Sequence, residues 1–167
     1  AIGIALLLGF HFPINFNAPY RSVSITDFWR RWHISLSTWI RDYIYISLGG
    51  NRKGKLRQYV NLVITMLLGG LWHGASLNFV AWGGAHGIAL AVHKFFRQEV
   101  LHHGRGFQSH GVRKWIAIVL TFHFVCFTWI FFRQKTFTAG WTMLRQIFFN
   151  FHAELWQQVC AGYQYVL

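Results

Sequence analysis

Long apolar stretches alternate with short basic segments along this chain. The apolar stretches cover residues 1–20, 58–93, 115–132 and 136–153, and each is near or beyond the roughly 18 residues that a membrane-spanning helix needs. The second stretch contains no Lys, Arg, Asp or Glu. This pattern predicts an all-α, polytopic membrane protein.

The segment between the first two apolar stretches has a different pattern, which predicts a helix over residues 27–46. Apolar and aromatic side chains recur there at spacings of three and four, while most of the charged ones fall on the other side. A helix that carries Trp, Tyr and Arg in this arrangement lies in the lipid headgroup region. The apolar side consists of Phe28, Trp32, Leu36, Trp39 and Tyr43.

Charged residues are scarce and mostly basic. They make up 12% of the chain, with 16 Lys and Arg against 4 Asp and Glu, which is roughly half the charged fraction of a soluble domain. The basic residues concentrate in residues 21–57 and 94–114, between apolar stretches, as cytoplasmic connections do. This distribution argues against nucleic acid as a partner and favours membrane lipids.

The same pattern divides the chain, residues 1–167, into consecutive parts of a single domain. We expect a truncated transmembrane helix, a basic cytoplasmic loop with the interfacial helix, a pair of active-site helices, a loop, a transmembrane helix and further membrane helices. These parts cover residues 1–20, 21–57, 58–93, 94–114, 115–132 and 136–167.

The second apolar stretch predicts a broken or re-entrant pair of helices. At about 1.5 Å per residue it makes roughly 54 Å of helix, which is short for two full crossings of a roughly 30 Å core. Backbone at membrane depth leaves helical geometry only where protein or a watery cavity satisfies its polar groups. The glycine pairs Gly69-Gly70 and Gly83-Gly84 are the expected break positions.

His73 is an ionisable residue in the middle of this stretch. On a continuous helix Gly69, Gly70 and Ser76 would share its face, and small residues leave room for a substrate. Apolar surroundings favour the neutral imidazole, which can accept a proton from a hydroxyl. The alternative is a structural histidine that bonds a neighbouring helix.

Other histidines allow further interpretations. His33 follows Arg30 and Arg31, which suit either anionic headgroups or the phosphates of a donor. His86, His93 and His123 suggest a haem or metal ion held between helices, and His86 and His73 can face one site only if the chain breaks between them. The histidines between the second and third apolar stretches, His102, His103 and His110, are expected in a loop.

Four motifs resemble the membrane-bound O-acyltransferase family, and within it the bacterial alginate O-acetyltransferase proteins. The likeness is dense from Phe16 to Lys94. The motifs are Pro19-Tyr20-Arg21-Ser22, the run from Asp27 to Tyr43 that begins Asp-Phe-Trp-Arg-Arg-Trp-His, Leu48-Gly49-Gly50-Asn51-Arg52, and the run from Gly69 to Ser76.

This resemblance implies acyl transfer from a thioester donor, acetyl-CoA or another acyl thioester, without a tightly bound cofactor. The acceptors it implies are hydroxyls of an extracytoplasmic polysaccharide such as alginate. It makes His73 the general base and His33 a group that polarises or positions a reactant. The substrate-binding residues expected beside them are Arg30, Arg31, Trp72 and Ser76.

The resemblance also implies a multi-pass protein of the bacterial inner membrane that works with periplasmic or membrane partner proteins that accept the acyl group. Members of that family normally have several hundred residues and a tunnel that converges on the family's histidine. A chain of 167 residues is expected to hold only part of that tunnel, so the resemblance does not imply that the chain is active in isolation. The competing hypothesis is a non-enzymatic membrane subunit, or a protein that binds haem or a metal ion through His86, His93 and His123.

Overall fold

The computed structural model describes residues 2–101 and 110–149. These residues form helices joined by turns and loops, with no β-strand among them, so the prediction of an all-α fold is confirmed. The α-helices are α1 Ile2–Leu7, α2 Ile25–Arg31, α3 Ile34–Ile40, α4 Lys55–His73, α5 Leu77–Phe95, α6 Val112–Arg133 and α7 Phe137–Phe149. Shorter turns are the 3-10 turn Pro19–Arg21 and the π-helical turns Arg41–Tyr45 and Phe96–Val100.

Helices α4 and α5 form an antiparallel hairpin, which is the central element of the fold. Each has 19 residues, or about 28 Å of helix. Glycines allow the two backbones to touch: a methyl group added at Gly70 would lie 2.2 Å from the carbonyl oxygen of Phe79, and one added at Gly83 would lie 2.3 Å from that of Met66. Small residues at a helix crossing permit this approach.

The expectation that the glycine pairs interrupt the helices is therefore wrong. Helix α4 runs through Gly69 and Gly70, and α5 runs through Gly83 and Gly84. The chain turns instead directly after His73, where Gly74 has a φ of 151°. The helix pair exists, with bounds close to those expected, and its re-entrant placement in a membrane stays a prediction.

The base of the hairpin is closed at the end far from His73. The Nζ atom of Lys55 donates to Oε2 of Glu99 at 2.7 Å, and this bond raises the pKa of the lysine. Tyr59 and Phe95 pack edge to face nearby, with ring centroids 6.2 Å apart. The hairpin thus carries His73 at the opposite tip.

Two predicted helices are shorter than expected. Helix α1 ends at Leu7, because Gly9 turns the backbone with a φ of 81° and Pro13 lacks the N–H that a helix needs. The helix expected over residues 27–46 divides into α2, α3 and a π-helical turn, with a break at Trp32 and His33. Its outer half is exposed, and Trp39 stacks there on Tyr43.

Helix α6 covers residues 115–132, where the sequence predicts a spanning helix. Within the described parts of the chain it is the one helix long and apolar enough to cross a membrane. Its inner face joins a core formed with α2, in which Ile25, Phe28 and Val125 are buried. A multi-pass arrangement stays a prediction, and residues 150–167, where further membrane helices were expected, lie outside the described residues.

Candidate active site

His73 is the last residue of α4, at the tip of the hairpin. Its half-buried imidazole lies among four aromatic side chains. The ring-centroid distances are 4.9 Å to Trp72, 6.0 Å to Phe79, 5.5 Å to Trp82 and 4.9 Å to Phe132. Among the described residues none hydrogen bonds to its ring nitrogens, so the imidazole is available to a substrate.

His33 lies in the break between α2 and α3 with a strained backbone. Its φ of 47° and ψ of 54° are left-handed helical values, which cost a residue other than glycine about 1–2 kcal/mol. Strain of this kind persists only where the surroundings enforce it, and it is common at functional sites. The helix that the sequence predicts over residues 27–46 is therefore interrupted at His33.

The segment around Asn15 enforces this conformation from both sides of His33. The Asn17 N–H donates to the carbonyl of Arg31 at 2.9 Å, and the Ile34 N–H donates to the carbonyl of Asn15 at 2.9 Å. The side-chain oxygen of Asn15 accepts from the N–H and the hydroxyl of Ser35, at 2.9 and 2.8 Å. Sequence reasoning missed Asn15, because a turn-rich segment gives no sign of what it pairs with.

His33 lies within electrostatic range of the His73 imidazole. Helix α3 packs on α4 one turn before His73, where a methyl group at Gly69 would lie 3.3 Å from Cδ1 of Ile40. The Nδ1 atom of His33 is buried and has no hydrogen-bond partner in the described chain. A buried polar atom in this state is an expected anchor for a bound group.

The two arginines next to His33 are placed differently. The Nε atom of Arg31 donates to Oδ1 of Asp27 at 2.9 Å, and its guanidinium also reaches the carbonyl of Asn17 at 3.4 Å. Arg30 is exposed. Arg30 is therefore the better placed of the two for an anionic partner.

The two substrate-binding candidates next to His73 also differ. Trp72 is 61% exposed and stands edge-on to the imidazole. Ser76 does not share a helix with His73, so that expectation is wrong: α4 ends at His73, and the Ser76 hydroxyl caps α5 by accepting from the Asn78 N–H at 3.3 Å.

The structure does not assemble the predicted haem or metal site. His86 bonds Trp29 and Thr128, His93 bonds the Thr26 hydroxyl at 3.0 Å, and His123 bonds the carbonyl of Val119 in its own helix at 2.8 Å. No group of three His, Cys, Asp or Glu suited to a metal ion occurs within residues 2–101 and 110–149. Helix α4 does end at His73, as a shared site for His73 and His86 would require, but His86 is hydrogen bonded to Trp29 and Thr128 instead. His102 and His103 lie outside the described residues, and His110 is exposed in the connection before α6.

Two further polar groups near His73 were not expected from the sequence. The Nε1 atom of Trp82 and the Oδ1 atom of Asn78 are buried without hydrogen-bond partners in the described part of the chain. Asn78 also ties the start of α5 to the end of α6, since its Nδ2 donates to the carbonyl of Gln134 at 2.6 Å. Polar residues within an apolar stretch are the sequence signal that marks them.

Comparison with known proteins gives a consistent result for most of the chain. Residues 1–104 match the membrane-bound O-acyltransferase family. Over 89% of its length the chain is 49% identical to the probable alginate O-acetylase of Pseudomonas aeruginosa. It is 46% identical over 87% of its length to the peptidoglycan O-acetyltransferase of Helicobacter pylori, and 33% identical over 82% to the teichoic acid D-alanyltransferase of Bacillus subtilis. The matched parts are 27%, 27% and 36% of those proteins, so the chain spans about a third of their length or less.

Proposed function

The chain belongs to the membrane-bound O-acyltransferase family, and on this premise we propose that it forms the catalytic centre of a multi-pass O-acetyltransferase. The proposed enzyme moves an acetyl group from a thioester donor toward hydroxyls of a polysaccharide outside the cytoplasm. His73 is the general base, and His33 polarises or positions a reactant. The His73 imidazole, which lies among aromatic rings at the tip of the hairpin with His33 within electrostatic range, carries the proposal.

The proposed reaction follows from a free imidazole in an aromatic enclosure. As the acceptor oxygen attacks the carbonyl carbon of the thioester, His73 takes the hydroxyl proton. The carbonyl electrons move to oxygen, and a proton or dipole at His33 stabilises that charge. When the carbon–sulfur bond breaks, the thiolate takes the proton from His73, leaving an ester and a free thiol.

The acceptor class rests on the relatives' names. The two most similar of the three name an O-acetyl transfer, one to alginate and one to peptidoglycan, and the third names D-alanyl transfer to teichoic acid. All three acceptors are polymers rich in hydroxyl groups. A polysaccharide acceptor and an acetyl group therefore fit the chain better than a lipid acceptor or an alanyl group.

Donor, partners and location complete the proposal. The donor is acetyl-CoA or another acyl thioester, which reaches His73 from the basic side of the membrane. Periplasmic or membrane proteins take over the acyl group, and the enzyme sits in the bacterial inner membrane. Substrate contacts are proposed for Trp72 and, through the turn after His73, Ser76. The exposed Arg30 is proposed to bind an anionic group, either a lipid headgroup or the donor's phosphates. Arg31 retains a supporting role beside Asp27.

The test uses the full-length protein in its own cell. His73→Ala should abolish acetylation of the exported polysaccharide, measured as ester-bound acetate per gram of polymer, while the protein stays at its normal level in the membrane. His123→Ala is the matched control and should leave acetylation unchanged, because within the described residues that imidazole hydrogen bonds only to its own helix. Normal acetylation in His73→Ala would remove this histidine from the reaction.

A further inference from the structure

His86 is a buried titratable residue that the proposed reaction does not use. It is fully buried in α5, and both ring nitrogens are hydrogen bonded. Nε1 of Trp29 lies 3.2 Å from Nδ1, and the Thr128 hydroxyl lies 2.9 Å from Nε2. One imidazole thus joins α2 to α6 through α5.

The partners of His86 define its protonation. An indole N–H can only donate, so Nδ1 of His86 accepts from Trp29 and carries no proton. Nε2 therefore holds the proton and donates to Thr128, whose own hydroxyl donates to the carbonyl of Val125 at 2.8 Å. Each donor in this series of hydrogen bonds has an acceptor, and neither ring nitrogen of His86 remains for a substrate or a metal ion.

The arrangement connects His86 to both histidines of the candidate site. On one side it holds α2 through Trp29 and through Phe28, which stacks on the imidazole at 6.2 Å, and α2 leads directly into the strained backbone of His33. On the other side Trp82, one turn earlier in α5, contacts His86 at 4.9 Å and His73 at 5.5 Å. Trp29 and Trp82 also touch each other, at 5.7 Å.

We infer that His86 is a positioning residue that holds α2 against the hairpin and so keeps His33 beside His73. The inference rests on the proposed function, because its effect is measured in acyl transfer. Histidine suits this position since its neutral ring offers one acceptor and one donor on different edges. Glutamine offers the same pair of groups, whereas leucine fills the space and bonds neither neighbour.

The test compares His86→Leu and His86→Gln in the full-length protein, with and without His33→Ala. His86→Leu should lower kcat by about 10- to 100-fold, as expected when a reacting group is misplaced by about 1 Å, with little change in the KM of the thioester donor. His86→Gln should recover most of this loss. In the His33→Ala background His86→Leu should cost less than about twofold, because residues that act together are not additive.

Trp29→Phe provides a second route if His86→Leu does not accumulate in the membrane. It removes the donor to Nδ1 while keeping an aromatic ring in contact with its neighbours, and it should show the same dependence on His33. Thr128→Val removes the other bond without touching α2, so it should lower the thermal unfolding temperature and leave kcat within about threefold of wild type. His123→Leu, a histidine in α6 without a partner on another helix, should change neither.

The outcomes separate this inference from the proposed function. Equal losses from His86→Leu with and without His33 would make His86 a purely structural residue and overturn the inference. Wild-type kcat in His86→Leu would overturn it as well. Loss of activity in His73→Ala, observed alongside either result, would leave the proposed function intact. Full activity in His73→Ala would instead contradict the proposed function itself.

Discussion

Gly70 of α4 and Gly83 of α5 meet where the two helices cross, and a methyl group added at either one would lie 3.3 Å from the Cα atom of the other. The added groups would also press on backbone carbonyls, which cannot rotate away. The hairpin that carries His73 at its tip therefore requires glycine, which has no Cβ atom, at both positions of this crossing.

Gly70→Ala and Gly83→Ala should each destabilise the hairpin by about 1–3 kcal/mol or more, the range for overpacked interiors. Thermal unfolding in detergent measures the loss, and acetyl transfer should fall with it because His73 moves with the tip. Gly84→Ala is the matched control: its methyl group would meet only a side-chain carbon of Leu67, at an ordinary 3.4 Å. Equal stability of the Gly70, Gly83 and Gly84 variants would contradict the crossing.

The strained backbone at His33 leads to a second prediction. Glycine adopts left-handed geometry without steric cost, so His33→Gly should be as stable as His33→Ala or up to about 1 kcal/mol more stable. Both variants should lose most acetyl transfer, because both lack the imidazole. Unfolding midpoints and turnover of the two proteins give the comparison. A more stable His33→Ala would mean that His33 does not keep its φ of 47° in the membrane.

Asn15 should matter to catalysis although it lies outside the family motifs. Asn15→Ala removes the oxygen that accepts two hydrogen bonds from Ser35. It therefore loosens the clamp on His33, which is the set of hydrogen bonds from Asn15 and Asn17 that flank its backbone. The kcat should fall several-fold at a nearly constant KM for the donor. Asn15→Asp keeps an acceptor oxygen and should retain activity. Asn17→Ala is a suitable control, because Asn17 binds Arg31 through its backbone N–H. A loss in Asn17→Ala as large as that in Asn15→Ala would remove the argument for the clamp.

The helical class and the long elements could be predicted from the sequence, because they depend on local patterns. Helix α6 is an example, since the run from Trp115 to Phe132 contains no Lys, Arg, Asp or Glu. The glycines at the crossing were misread, because a glycine that breaks a helix and one that lets two helices touch look alike in a single chain. Only the partner helix decides between the two.

The candidate site shows the same division. The position of His73 in the middle of a long uncharged stretch marks it as a candidate, and the resemblance to a family points to His33. No periodic pattern predicts that the helix breaks at His33. The break depends on bonds from Asn15 and Asn17, which are distant in sequence from the helix they shape. His86 was assigned to a possible metal site because its true partners, Trp29 and Thr128, lie 57 and 42 residues away.

The two arginines before His33 give the last prediction. Arg31 pairs with Asp27 in the same helix and both are partly buried, so Arg31→Ala should lower stability by about 0.5 kcal/mol and affect turnover only through that loss.

Arg30 is exposed, so Arg30→Ala should leave stability unchanged. If Arg30 binds anionic headgroups, acetyl transfer by the wild-type protein should rise with the anionic lipid content of nanodiscs, and Arg30→Ala should lose this dependence. Arg30→Lys should restore it, since a headgroup surface accepts any compact positive charge. If it binds the donor's phosphates instead, Arg30→Ala raises the KM of the donor in neutral lipid, and lysine restores it poorly because it lacks the two-pronged contact of a guanidinium. The exposed position of Arg30 favours the headgroup, so we expect the first result. An unchanged lipid response together with an unchanged KM would remove Arg30 from both roles.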